Sequence, residues 1–164
     1  MPKPGRSTAA TSRPTVLPVA QKGARANTIA ISRGGRTTKI HALVDVLGRP
    51  LRLVLTPGNI SDVKGADLLI GEPIGMKRVI ADRGYDANRI RAALRDQGTI
   101  PVIPGRRNRK RPIQYDERRH KDRWRVEAMF CRLKDFRRVA TRYDKLARNF
   151  LSAVSLAAAA AFWL

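Results

Sequence analysis

From Thr37 onward, apolar and polar positions follow regular periods that change along the chain. Two runs of β-branched and aliphatic residues, Thr37–Val46 and Leu51–Thr56, flank Gly48-Arg49-Pro50 and predict a β-hairpin. Pro57-Gly58-Asn59 ends it, and Ser61 or Asp62 is placed to cap a helix reaching about Leu69. Arg78–Ala81 reads as a short strand that runs into Asp82. Asp86 opens a helix to about Gln97, with Gly98 as its stop, and Thr99–Ile103 is the next strand. Helical spacing returns over Asp116–Phe136, where Val126, Met129, Phe130 and Leu133 form one apolar stripe, and again over Lys145–Trp163. The order hairpin, helix, strand, helix, strand, helix, helix predicts an α/β fold with helices packed on a sheet.

Residues 1–36 lack either period. Pro, Ser, Thr, Ala, Gly and Arg dominate there, which predicts disorder. Ser32–Arg36 closes the stretch as a basic loop.

Charge narrows the function. The 164 residues carry 34 Lys+Arg against 13 Asp+Glu, a net charge of +21. Such an excess repels itself unless a polyanion neutralises it, so DNA or RNA is the expected partner. Cys131 is the only cysteine, which excludes an intramolecular disulfide and a cysteine-cluster zinc site. Its place beside the apolar stripe predicts a small core residue, and the cysteine usage points to the cytosol. The apolar tail Phe150–Leu164 is shorter than the ~20 residues of a membrane span and predicts a buried helix.

Two carboxylates stand out. Asp82 follows an apolar strand, where α/β sheets place ligand-binding groups, and Arg83-Gly84 turns the chain sharply behind it. Asp86 is the better helix cap, which leaves Asp82 for chemistry. On an unbroken helix at ~100° per residue, His120, Arg123, Glu127 and Lys134 would share an arc of about 60°. A carboxylate in such company suits a hard cation, while its cationic neighbours grip phosphate. An ordinary chain of surface ion pairs fits the same helix. The run Arg106, Arg107, Arg109, Lys110 and Arg111 lies between a strand and this helix and is a candidate DNA contact.

Several phrases then combine in order: Ser32–Asp45, Leu55–Gly58, Ala81-Asp82-Arg83-Gly84-Tyr85-Asp86, Pro101–Pro104, Arg123 with Val126-Glu127, Phe136–Arg138 and Thr141–Lys145. Together they resemble the DDE transposases of bacterial insertion sequences, in the insertion-sequence-five group. The resemblance runs from about Ser32 to Leu164. It implies a ribonuclease-H-like mixed sheet with flanking helices, two Mg2+ ions, DNA strand cleavage and transfer at transposon ends, and a dimer on DNA in the bacterial cytoplasm and nucleoid. Asp82 matches the family's second acid and Glu127 its third. Arg123, Glu127 and Lys134 keep the spacing of the family's helix signature, with His120 in place of its tyrosine.

The family's first catalytic aspartate has no match. No Asp or Glu precedes Asp45, and Asp45 reads as a turn residue. Residues 37–164 are therefore expected to form an incomplete catalytic domain without its first strand, and residues 1–36 a disordered or frame-shifted segment. A coding choice for Arg6–Val16 exists in which the overlapping frame reads Ile-Asp-Ser-Ser-His-Val-Lys-Thr-His, the family's missing phrase. The expectation is a chain with little activity alone. The alternative is a non-enzymatic DNA-binding regulator of transposition, which needs the charge but neither Asp82 nor Glu127. A structural RNA-binding protein fits the charge but not the ordered acids.

Overall fold

The hairpin is the partition of the molecule. The structure, a computed structural model, describes residues 30–32, 35–70, 75–142, 144 and 146–164. Strands β1 (Ala30–Ser32), β2 (Gly35–Val44) and β3 (Pro50–Pro57) form an antiparallel sheet in that order. The β2–β3 register pairs Ile40 with Leu55, His41 with Val54 and Ala42 with Leu53. Side chains alternate across a strand, so each face takes every second residue. Ile40, Ala42, Val44, Leu53 and Leu55 pack on one apolar cluster, and Leu43 and Val54 on another. Asp45 closes the turn by accepting from the Leu47 and Arg49 amides at 2.8 and 2.9 Å. Gly48 sits at φ +81°, so the turn reading of these residues holds.

The first face is covered by α4 (Trp124–Lys134), α5 (Arg137–Ala140) and α6 (Ala147–Phe162), whose Met129, Leu133, Val139, Phe150 and Val154 fill the cluster. The α6 positions Phe150, Val154, Ala157 and Ala158 recur at helical spacing, so a single stripe is buried. Among the described residues no helix is long and apolar enough to cross a membrane.

The second face carries α1 (Asp62–Ile70), α2 (Asn88–Asp96) and the parallel pair β4 (Arg78–Ile80) and β5 (Ile100–Val102). Leu94 and Ile103 are fully buried there. Gly98, at φ +73°, ends α2, and the Thr99 amide returns to the Leu94 carbonyl at 2.8 Å.

Four expectations need correction. A strand, β1, forms at Ala30–Ser32, inside the stretch expected to be disordered; residues 1–29 and 33–34 lie outside the described residues. The described strands make two sheets rather than one mixed sheet. Backbone pairing does not join them; side chains between α1, the hairpin and the turn after β4 do. The helix expected over residues 116–136 is divided into α3 (Glu117–His120), a 3-10 turn (Lys121–Arg123) and α4. Cys131 is exposed, because α4 turns Met129 and Leu133 inward and leaves residue 131 on its outer side.

His41 shows how the second face is held. Its imidazole is 3 % exposed, with Nδ1 3.0 Å from the Tyr85 hydroxyl and Nε2 2.8 Å from Thr56 Oγ1. A neutral ring satisfies both contacts, donating from one nitrogen and accepting at the other. Burial lowers its pKa from the ordinary 6.5; nearby Asp62 opposes that shift and Lys39 adds to it. A Cβ at Gly65 would fall 2.5 Å from both ring nitrogens, so only glycine lets α1 close over the histidine. Gly65→Ala is expected to cost about 1–3 kcal/mol in urea unfolding by forcing the ring off its partners. Because the folded-state pKa is lowered, the stability from neutral His41 is present above about pH 6.5 and falls as pH drops below it. A urea midpoint that rises from pH 5 to 7, with the rise reduced in His41→Gln, checks that sign.

Candidate nucleic-acid and catalytic site

The turn that follows β4 carries Asp82. Its neighbour Ala81 extends the parallel pairing, with the Ala81 amide donating to the Val102 carbonyl at 3.2 Å. The Asp82 side chain is exposed and accepts from the Gly84 amide, capping a 3-10 turn at Arg83–Tyr85. One carboxylate oxygen is thus occupied by the backbone, and the residue makes no ion pair among the described residues. Asp82 caps its own short turn, and neither it nor Asp86 caps α2.

Asp86 does something else. Its carboxylate is fully buried, and Ala87, not Asp86, stands at the N-cap of α2 with no side-chain cap bond. Arg91 Nε donates to Oδ1 at 2.9 Å, Arg109 donates to both oxygens at 2.5 and 2.8 Å, and the Arg106 amide donates to Oδ2 at 2.8 Å. Burial alone would push this carboxyl up; the donors from Arg109, Arg106 and Arg91 outweigh it and hold the pKa down to about 2. Arg91 also donates to the Ile103 carbonyl at 2.6 Å. One buried charge thereby clamps α2, the end of β5 and the basic run to the Asp82 turn.

A second carboxylate, missed by the sequence reading, stands beside Asp82. Asp62 was assigned only to helix capping. It accepts from Lys39 Nζ at 2.8 Å, and a Cβ built on Gly84 would lie 2.8 Å from Asp62 Oδ2 and 3.2 Å from Asp82 Oδ1. The two acids face one another across Gly84. Tyr85 registers both: burial first, then the charges of Asp62 and Asp82, raise its hydroxyl to about 12. The only sequence signal for Asp62 was its place at the start of a helix following a turn.

The helical candidates divide. Glu127 lies on α4, exposed, with Arg123 2.7 Å from Oε1 at i,i+4. Lys134, on the last turn of α4, is exposed. The intervening 3-10 turn, at ~120° per residue, stacks His120 over Arg123 rather than offsetting it by about 60° as on an unbroken α-helix. The His120 Nε2 lies 3.2 Å from the Ala81 carbonyl, and its ring stands edge-on to Tyr115 at 5.5 Å. His120 thus ties the segment leading into α4 to the residue before Asp82. In the basic run Arg107, Lys110 and Arg111 are exposed, Arg106 donates to the Gly84 carbonyl at 3.1 Å, and Arg109 is committed to Asp86 and Asn88.

Carboxylate oxygens are the right donors for a hard divalent cation. Among the described residues, however, no group of three or more His, Cys, Asp or Glu side chains gathers to hold one. The described residues by themselves do not complete a metal site. Asp86→Ala, which strands the buried guanidinium of Arg91 and releases the partly exposed Arg109, is expected to cost about 3–5 kcal/mol in chemical denaturation. In the wild type this contribution is complete above about pH 4 and disappears as pH falls through about 2, the sign expected for a depressed carboxyl pKa.

Comparison with known proteins places this geometry. A family model described as "Transposase DDE domain" matches residues 10–162. A Brucella ovis protein named "Putative transposase for insertion sequence element IS6501" is 39% identical over 132 residues, covering 78% of this chain and 98% of the relative. A Burkholderia cepacia protein named "Putative transposase for insertion sequence element IS402" is 38% identical over 121 residues, covering 67% of this chain. The chain spans nearly all of the first relative and 55% of the second. No solved structure matches it. The length of the family match and the identity to both relatives show that the chain belongs to the DDE transposases of bacterial insertion sequences.

Proposed function

We propose that this chain is the catalytic portion of an insertion-sequence transposase that cleaves and transfers DNA strands with Mg2+, and that Asp82 and Glu127 are two of its three metal-binding acids. The observation that carries the reading is the position of Asp82: exposed, at the end of a parallel strand, with His120 linking its turn to the segment that leads into the helix of Glu127. The core is read as ribonuclease-H-like, with its first strand and first aspartate encoded not in this chain but in the overlapping frame across Arg6–Val16. Residues 37–164 form the catalytic domain in this reading. Arg123, Lys134, Arg106, Arg107, Lys110 and Arg111 hold phosphates of the DNA; Arg109 serves the same surface by fixing the basic run to Asp86. The enzyme works as a dimer on paired transposon ends in the bacterial cytoplasm.

This chain alone is inactive in this reading, since no carboxylate precedes Asp45. The purified 164-residue protein is expected to leave a labelled transposon end intact in Mg2+, while a version carrying the overlapping-frame phrase at residues 6–16 cuts it. In that restored protein Asp82→Ala and Glu127→Ala are expected to reduce cleavage to background without loss of DNA binding. Robust cutting by the unmodified chain would refute the missing-acid reading. Cutting that survives both substitutions would refute the site. The gene sequence across Arg6–Thr8 tests the frame separately: codons without an overlapping Asp end that idea.

A non-enzymatic DNA-binding role is the second reading, favoured by the net charge of +21. It expects full function in transposition control from the Asp82→Ala, Glu127→Ala double variant. In either case binding is phosphate-driven and weakens steeply with salt.

A further inference from the structure

Tight turns ordinarily take Gly, Asn, Asp or Ser, which bend easily and suit water. The turn between β2 and β3 departs from that rule. Between Asp45 and Gly48 it carries Val46 and Leu47, 69% and 68% exposed. Trp124, at the start of α4, is 57% exposed and stands beside them. Arg125 makes the connection: its Nη1 donates to the Val46 carbonyl, and its guanidinium lies 5.6 Å from the centre of the Trp124 ring. The end of α6 reaches the same place. Arg49, at the base of the turn, lies 4.5 Å over the Trp163 ring, and Arg132 of α4 lies 5.0 Å over that of Phe162. Both tryptophans of the chain thus gather at one end of the hairpin.

These exposed side chains do not serve the fold. Val46, Leu47 and Trp124 belong to neither apolar cluster of the described residues. Three large apolar side chains gathered on one exposed patch mark a contact surface, and tryptophan and arginine are the residues in which such contacts concentrate their energy. Charge then selects the partner. Arg49 pairs with Asp45 at 2.7 Å and Arg125 with Asp122 at 3.7 Å. Two acids stand here among three arginines, against 13 among 34 basic residues in the whole chain, and the basic run Arg106–Arg111 contains no acid at all. Phosphate finds these arginines already engaged, while a second +21 chain meets little like charge at this patch.

We propose that the hairpin tip, Trp124 and the end of α6 form a two-fold contact between two copies of this chain, made before DNA binds. A two-fold axis presents the same patch from both sides, so Val46, Leu47 and Trp124 of each copy are covered by those of the other. Glu127 lies about 160° round α4 from Arg125, so a contact on the Arg125 side leaves the Glu127 side open to DNA. The inference rests on the dimer of the proposed function and adds the surface that joins its copies.

The test uses the full 164-residue chain without DNA. Sedimentation equilibrium is expected to show a concentration-dependent dimer, and tryptophan emission is expected to shift to the red as dilution separates the copies. Raising NaCl from about 50 to about 300 mM should tighten the dimer by screening the repulsion between the two copies, whereas DNA binding weakens over the same range. Leu47→Ser and Trp124→Ala are each expected to weaken the dimer about tenfold with the circular dichroism spectrum unchanged. Leu68→Ser, at an exposed leucine of α1, should leave it intact. A chain that is monomeric at every concentration overturns the surface, as does a dimer that survives both substitutions or falls equally to Leu68→Ser. Loss of DNA affinity in Leu47→Ser with the dimer intact overturns it in favour of a DNA contact. One copy on a DNA carrying two transposon ends refutes the dimer reading itself; two copies there with a monomeric free chain refute this surface alone.

Discussion

A fully buried carboxylate is affordable only when hydrogen bonds and opposite charge replace the water it loses, and Asp86 obtains both from three segments of the chain. Arg91 comes from α2, Arg106 and Arg109 from the basic run, and Arg91 passes the connection on to the carbonyl after β5. The basic run has few apolar side chains with which to anchor itself. Its placement comes from this one charge. The same residue stands four positions after Asp82, so the geometry of the exposed acid depends on the satisfaction of the buried one.

The hairpin imposes the other constraint. Both of its faces are covered, so neither can tolerate an unpaired polar group. His41 breaks the apolar alternation on the α1 side, and the fold answers with Thr56 on one ring nitrogen, Tyr85 on the other and Gly65 above the ring. The bond to Tyr85 also ties the hairpin to the turn of Asp82. His41 thus links the hairpin to the β4–β5 side where backbone pairing does not, and Asp86 holds that side together.

Much of this scaffold is legible in the sequence because it depends on local rules. Alternation over Thr37–Thr56, Gly48 at the turn, Gly98 at the end of α2, and the stripe of Met129 and Leu133 all act within a few residues, and each appears where expected. The errors arise where a distant partner decides. Asp86 looks like a cap because the preceding turn and following helix favour one; Arg109, far along the chain, gives it a stronger role. The sequence places His120 only by its bearing on the helix, and its contact with the Ala81 carbonyl, 39 residues back along the chain, comes from the fold. Asp62 carries no pattern of its own, and only the fold brings it across Gly84 from Asp82. The position of Cys131 is the smallest of these errors, a matter of one helical step between a buried and an exposed bearing.

The charge balance gives these positions their meaning. In a chain with 34 basic and 13 acidic residues, most carboxylates near a surface will be taken by an arginine or lysine. Asp45, Asp62, Asp67, Asp116 and Asp144 are so taken, and Glu127 is paired with Arg123. Asp82 has arginines nearby in its own turn and in the basic run, yet its hydrogen bond goes to a backbone amide. Arg106 donates to the Gly84 carbonyl and Arg109 to Asp86, so neither pairs with Asp82. Freedom from an ion pair does not by itself single Asp82 out, since among the described residues Asp96, Glu117 and Asp135 make none either. What sets Asp82 apart is its place at the end of a parallel strand with Asp62 across Gly84, two negative charges that a surface built only to attract phosphate would not gather.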